Sequence, residues 1–190
     1  MFPFAAALIA GGQSTRMGQD KAFLNWQGQP LWEAQLAKLE ALQPVRLLLS
    51  CRREQHIQAP QAELLFDPPG SDGPLPALAR CLESVNMPVL ALAVDMPHVS
   101  AVFLCDLIAV SSSEDGGVIF HGPHGYEPLC ALYPVAILPL LQEAIARGNF
   151  RFQSLVQNAV DAGLLTVIPL TPDQENLFFN LNTPADLPAP

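Results

Sequence analysis

The chain is predicted to fold as a single three-layer α/β domain spanning residues 1–190, with helices on both faces of a mostly parallel central sheet. Three observations predict this. Short apolar runs alternate along the chain with longer stretches of helical periodicity. The apolar runs lack hydrophobic–polar alternation, which is the pattern of strands buried on both sides. A length of 190 residues suffices for one well-buried core and is short for two.

The elements follow in order. Ala5 to Ile9 is a buried first strand, followed by a glycine-rich loop that runs to Lys21. Phe23 to Trp26 is expected to be a short extended piece. Pro30 opens a helix reaching about Leu42, because proline suits a first turn and Trp32, Leu36, Leu39 and Leu42 share a face. Val45 to Leu49 and Leu64 to Phe66 are the next strands. The second of these stops at Asp67, where Pro68-Pro69-Gly70 breaks regular structure. Pro74 to about Val85 is a helix, and Val89 to Val94 an apolar strand stopped by Asp95-Met96-Pro97. Ser100 caps a helix ending near Val110. Val118 to Phe120 and Leu129 to Tyr133 are strands flanking a glycine-rich turn. Helices over Pro134 to Ala146 and Phe152 to Val160, a strand at Leu165 to Ile168 and a polar tail complete the chain.

Composition excludes several functions. Hydrophobic residues make up 50% and charged residues 14%, so the chain is globular. No apolar run approaches the roughly 20 residues of a membrane span. A net charge of −9 argues against a nucleic-acid partner, which needs clustered cations. Cys51, Cys81, Cys105 and Cys130 are widely spaced, predicting reduced, mostly buried thiols rather than a zinc site. The apolar N-terminus has no basic residue before it and no suitable cleavage spacer after it, so a cytoplasmic first strand is expected over a signal peptide.

Ligands of open α/β sheets collect at the carboxyl ends of strands, and three features fall there. The first is Ala10-Gly11-Gly12-Gln13-Ser14-Thr15-Arg16-Met17-Gly18-Gln19-Asp20-Lys21. Its glycines permit close backbone approach to anionic oxygens, and Arg16 and Lys21 add fixed charge. The spacing fits neither a Walker A loop nor a dinucleotide fingerprint, and alone it also reads as an ordinary turn. The second is Asp95, a natural Mg²⁺ ligand beside phosphates, or alternatively a helix cap. The third is Asp67, which can accept from ribose hydroxyls or base N–H groups or help hold metal, or alternatively serves a turn. Ser14 has no histidine placed to activate it. His121 and His124 lie in a turn without further ligands and are expected to be solvent-exposed. Glu127 follows that turn as a residue bordering an acceptor site.

Nine positions of the loop, together with Gly28-Gln29-Pro30-Leu31, Asp67, Gly73-Pro74-Leu75, Val94-Asp95-Met96-Pro97 and Asn180-Leu181-Asn182-Thr183-Pro184, resemble the molybdenum cofactor guanylyltransferases, the MobA family. The resemblance implies a Rossmann-like fold of the nucleotide-diphospho-sugar transferase type. It also implies transfer of GMP from GTP to the phosphate of molybdopterin with release of pyrophosphate. Nucleotide contacts carry over to Leu8, Ala10, Gly11, Gly12, Lys21 and Asp67, with Asp95 as nucleotide and Mg²⁺ ligand. Asn180 and Asn182 carry over to the pterin side. The implied partners are GTP and molybdopterin, with cofactor-biosynthesis or molybdoenzyme-maturation proteins as further contacts. Ser50 or Cys51 stands where the family has an asparagine. Ala77 stands where the pattern usually reaches another glycine, and is expected to add a methyl group beside the nucleotide.

A phosphate monoester has its second pKa near 6, so the attacking oxygen is already ionised at neutral pH and needs no general base. Catalysis then rests on neutralising charge, with Arg16, Lys21 and Asp95 as the candidate catalytic residues. A relative using CTP or another phosphorylated acceptor, or a catalytically silent nucleotide-binding regulator, fits the same residues.

Overall fold

The structure is a computed structural model that describes residues 2–12, 19–68, 73–111, 116–181 and 186. Arg16, Asn182, Ser14 and Gly18 therefore lie outside the described residues. The strands are β1 (Ala5–Ile9), β2 (Asn25–Trp26), β3 (Gln29–Pro30), β4 (Arg46–Cys51), β5 (Glu63–Phe66), β6 (Val89–Ala93), β7 (Gly117–Gly122), β8 (Gly125–Tyr133) and β9 (Leu165–Pro169). The helices are α1 (Leu31–Glu40), α2 (Pro74–Val85), α3 (Ala101–Val110), α4 (Leu138–Ala146), α5 (Phe152–Asp161) and α6 (Pro172–Glu175).

One sheet of seven strands, ordered β5-β4-β1-β6-β8-β7-β9, organises the fold. β1 pairs in parallel with β4 and with β6, β4 pairs in parallel with β5, and β7 with β9; β8 alone runs antiparallel to its neighbours β6 and β7. In register, Ile9 lies opposite Ser50 on one side and Ala93 on the other. The carboxyl ends of β5, β4, β1 and β6 thus open along one edge, which is where the three sequence features emerge.

The apolar runs have the predicted consequence. Ala6, Leu8 and Ala10 pack into one core with α1 and α3, while Ala5, Ala7 and Ile9 pack into a second core with α2, α4 and α5. Every residue of β1 and β6 is buried, so each side of these strands contributes to a different core. This is the three-layer arrangement expected from the sequence. Among the described residues no helix is long and apolar enough to cross a membrane.

Two stretches differ from expectation. Phe23, expected to open the extended piece to Trp26, instead ends a 3-10 turn over Lys21–Phe23, which the Asp20 carboxylate caps by accepting from the Ala22 N–H at 3.0 Å. Only Asn25–Trp26 is extended, in a hairpin with β3 turned by Gln27 and Gly28 at positive φ. The polar tail contains α6 and a 3-10 turn at Asn176–Phe178. The N–H of Thr171 donates to Gln174 Oε1 at 3.1 Å at the start of α6, and Phe178 is buried against Phe103 and Phe120.

Candidate active site

The glycine loop leaves β1 under backbone control. The Ala10 N–H donates to the Ser50 carbonyl at 2.8 Å, prolonging the ladder before Gly11 turns away. Gly11 is required by a close approach: a Cβ there would lie 1.7 Å from Asp67 Oδ2. At Gly12 a Cβ would meet nothing within 4 Å. The far end of the loop is fixed through Asp20. Its Oδ2 accepts from Arg52 at 2.6 Å and from Gln55 Nε2 at 2.9 Å, and the same Gln55 amide donates to the Ala10 carbonyl at 2.9 Å. Both ends of the loop are therefore tied to the segment that follows β4, and Lys21 emerges at a defined place.

Lys21 Nζ lies 2.9 Å from Asp95 Oδ2. Asp95 itself sits on a turn held from several directions. Fully buried Gln35 of α1 donates through its amide to the Ala93 carbonyl at 3.1 Å and the Met96 carbonyl at 2.9 Å. Lys38 donates to Gln35 Oε1 and to the Pro97 carbonyl, both at 2.6 Å, and burial lowers its pKa to about 8. The Leu181 N–H donates to the Asp95 carbonyl at 2.9 Å. Asp95 is not the cap of α3; Ser100 fills that role, accepting from the Phe103 N–H at 3.1 Å.

Asp67 continues the ladder beyond β5, its N–H donating to the Cys51 carbonyl at 2.9 Å. Its Oδ1 accepts from the Ser50 hydroxyl at 3.0 Å and from the Arg80 guanidinium. Burial pushes the Asp67 pKa up, and the Ser50 hydrogen bond and the charges of Arg80 and Arg52 oppose that rise. The buried thiols nearby are held protonated: burial, with the Asp67 charge, raises Cys51 to about 11.

Ala10, Gly11, Gly12, Lys21, Asp67 and Asp95 all line one cleft of about 170 Å³ at the sheet edge. Two expectations are corrected here. Leu8 does not reach the cleft wall, because its position in β1 points it into the core with α1. Ala77 is buried in the second core on α2, so its methyl group faces the sheet and not the nucleotide. Ser50 is buried and directs its hydroxyl to Asp67 rather than into the cleft.

A second cavity of about 330 Å³ is lined by Asn180 together with His124, Glu127, Phe178 and Phe179. Glu127 of β8 lines it while Leu129 of the same strand lines the first cavity, and Asn180 precedes the Leu181 whose N–H donates to the Asp95 carbonyl. Burial raises Glu127 to about 7. His121 and His124 are exposed as expected, and among the described residues no cluster of three or more His, Cys, Asp or Glu could hold a metal. A site of one carboxylate completed by phosphates and water suits Mg²⁺, and the partly exposed Asp95 at the cleft would supply that hard oxygen donor.

Arg80, Gln35, Lys38 and Gln55 were not singled out by the sequence. Gln35 carried a readable signal, a polar residue on the apolar Trp32–Leu36–Leu39 face of α1. Arg80 carried none, since its partner is 13 residues away at the tip of another element.

The model of the MobA-like NTP transferase domain matches residues 6–162. A molybdenum cofactor guanylyltransferase of Pseudomonas fluorescens is 33% identical over 188 residues, covering 96% of this chain and 90% of that protein. One from Pseudomonas putida is 27% identical, covering 96% and 94%. A crystal structure of molybdopterin-guanine dinucleotide biosynthesis protein A from Archaeoglobus fulgidus superposes with a TM-score of 0.74 at 23% identity, covering 96% of this chain and 94% of that one, and shares its fold. The chain belongs to the family of MobA-like NTP transferase domains.

Proposed function

We propose that this protein transfers GMP from GTP to the terminal phosphate of molybdopterin, releasing pyrophosphate. The observation that carries the reading is the convergence of Gly11, Gly12, Lys21, Asp67 and Asp95 on one cleft at the sheet edge. It is supported by the name shared by relatives aligned over most of the chain.

Each group has a task set by the chemistry. The turn at Gly11 and Gly12 lets backbone come close to the triphosphate. Lys21 turns from Asp95 to the phosphate oxygens, where a charge-assisted hydrogen bond contributes roughly 1.5–3 kcal/mol. Asp67 accepts a donor of the nucleoside. Asp95 would hold a Mg²⁺ together with the triphosphate, and that ion supplies charge neutralisation at the phosphate oxygens. An oxygen of the acceptor phosphate, already ionised, forms the bond to the α-phosphorus as the bond to the bridging oxygen of the leaving pyrophosphate breaks. The acceptor enters from the second cavity beside Asn180 and Glu127.

The test is incubation with Mg²⁺, molybdopterin and each labelled nucleoside triphosphate in turn, following label transfer and pyrophosphate release. GMP transfer to the pterin is the expected result. Transfer from CTP alone, or tight GTP binding with no product, would overturn it.

A further inference from the structure

The two oxygens of Asp67 have different surroundings. Oδ1 accepts from Ser50 Oγ at 3.0 Å and from Arg80, whose Nη2 also lies 3.4 Å from Ser50 Oγ. Oδ2 stands over Gly11, so close that only a glycine fits beneath it. Asp67 follows β5, Ser50 comes from β4 and Arg80 from α2, so the carboxylate is clamped from two other elements. Neither Ser50 nor Arg80 lines the cleft; Asp67 does. Through this contact Arg80 can act on a ligand there by way of the carboxylate it holds.

We propose that Arg80 is a positioning residue that, with Ser50, locks Asp67 through Oδ1 so that Oδ2 is presented above Gly11 as a single fixed acceptor for an N–H or O–H donor of the bound nucleoside. This rests on the cleft being the nucleotide site. A carboxylate held at one oxygen loses the rotation that would otherwise be frozen on binding, so its second oxygen binds a donor without that entropic cost. A guanidinium suits the task because its charge is permanent and weakly hydrated, and its Nη2 alone reaches both Oδ1 and the Ser50 hydroxyl. The side chains of Arg80 and Asp67 are 23% and 13% exposed, so water screens the pair only partly. Gly11 completes the device, since any larger residue would displace the oxygen being presented.

The experiment is a double-mutant cycle read by GTP titration of the full chain, using Asp67→Asn, Arg80→Met and the two together, with turnover measured alongside. Each single change is expected to weaken GTP binding about tenfold, and Arg80→Met should leave kcat at saturating GTP within about threefold. The double variant should bind no more weakly than Asp67→Asn alone. Wild-type GTP binding by Arg80→Met overturns the proposal, and so do two effects that multiply, because Arg80 would then act independently of Asp67. If Arg80→Met does not fold, the same cycle on Arg80→Lys decides: binding weakened only when Asp67 is present supports the clamp, and wild-type binding overturns it. Unchanged binding by Asp67→Asn also overturns it, while GMP transfer by the wild-type protein would leave the assigned function standing.

Discussion

Lys21 and Asp95, 74 residues apart in the chain, meet at 2.9 Å between Nζ and Oδ2. One arrives on the loop after β1 and the other on the turn after β6, neighbours in the sheet, so the ladder brings them together. Both side chains remain partly exposed, at 17% and 26%, and an ion pair of that kind contributes little to stability. Lys21→Ala is therefore expected to leave Tm within about 4 °C of wild type. Loss of one charge-assisted contact to phosphate should nevertheless lower kcat/KM by about one to two orders of magnitude. Steady-state kinetics with GTP checks this, and near-normal turnover would exclude the role.

Asp95→Ala removes the carboxylate at the strand tip without touching the backbone bonds that hold the turn. Mg²⁺-dependent transfer should disappear while the far-ultraviolet circular dichroism stays native. In the wild-type protein a chelator in excess should abolish transfer and added Mg²⁺ restore it. Activity persisting in chelator would rule out an essential metal at Asp95.

Adjacent glycines are predicted to differ. Gly11→Ala places a methyl group 1.7 Å from Asp67 Oδ2, so the clamped carboxylate must move and GTP binding should weaken at least about tenfold. Gly12→Ala meets nothing within 4 Å in the ligand-free protein and should leave its Tm unchanged. Thermal denaturation without nucleotide, followed by GTP titration, separates the two. A Gly11→Ala variant that binds GTP normally would show that the Asp67 position is not needed.

These residues also mark what the sequence could reveal. Strand ends were legible because a continuous apolar run that stops at a charged residue or proline has few other readings, and Asp67 and Asp95 both sit at such stops. α2 was legible from Pro74 to Val85 for the same reason, a proline at its start and an apolar face throughout. What could not be read was lateral. That Ser50 turns to Asp67 depends on the register of β4 against β5, and that Ala77 faces the core depends on the rotation of α2. α6 was missed because a four-residue helix leaves no periodicity to detect.

Gln35 shows how a buried polar side chain fixes the Asp95 turn from behind. Gln35→Leu keeps the volume and removes the donor to the Ala93 and Met96 carbonyls and the acceptor for Lys38. Two buried carbonyls losing a partner should cost about 2–4 kcal/mol, or a fall in Tm of roughly 4–16 °C. The turn would also hold Asp95 less rigidly, so the Mg²⁺ concentration for half-maximal activity should rise. An unchanged Tm and unchanged Mg²⁺ dependence together would show that the turn is held by its other contacts alone.

Glu127 gives the second cavity a pH dependence whose sign can be worked out. Burial raises its pKa from an ordinary 4.5 to about 7, so the neutral acid is the form favoured by folding. Its contribution to stability is fully present below pH 4.5 and is lost as pH rises through 7. Glu127→Gln mimics the neutral form at all pH values. The Tm of the variant relative to wild type should therefore increase between pH 4.5 and 7 and level off above about pH 8. The same titration bears on the acceptor, because an ionised Glu127 repels a phosphate entering the cavity it lines. The KM for the acceptor should rise from pH 6 to pH 8 in the wild-type enzyme and change less in Glu127→Gln. Parallel KM profiles for the two proteins would place the acceptor phosphate away from Glu127 and the cavity around it.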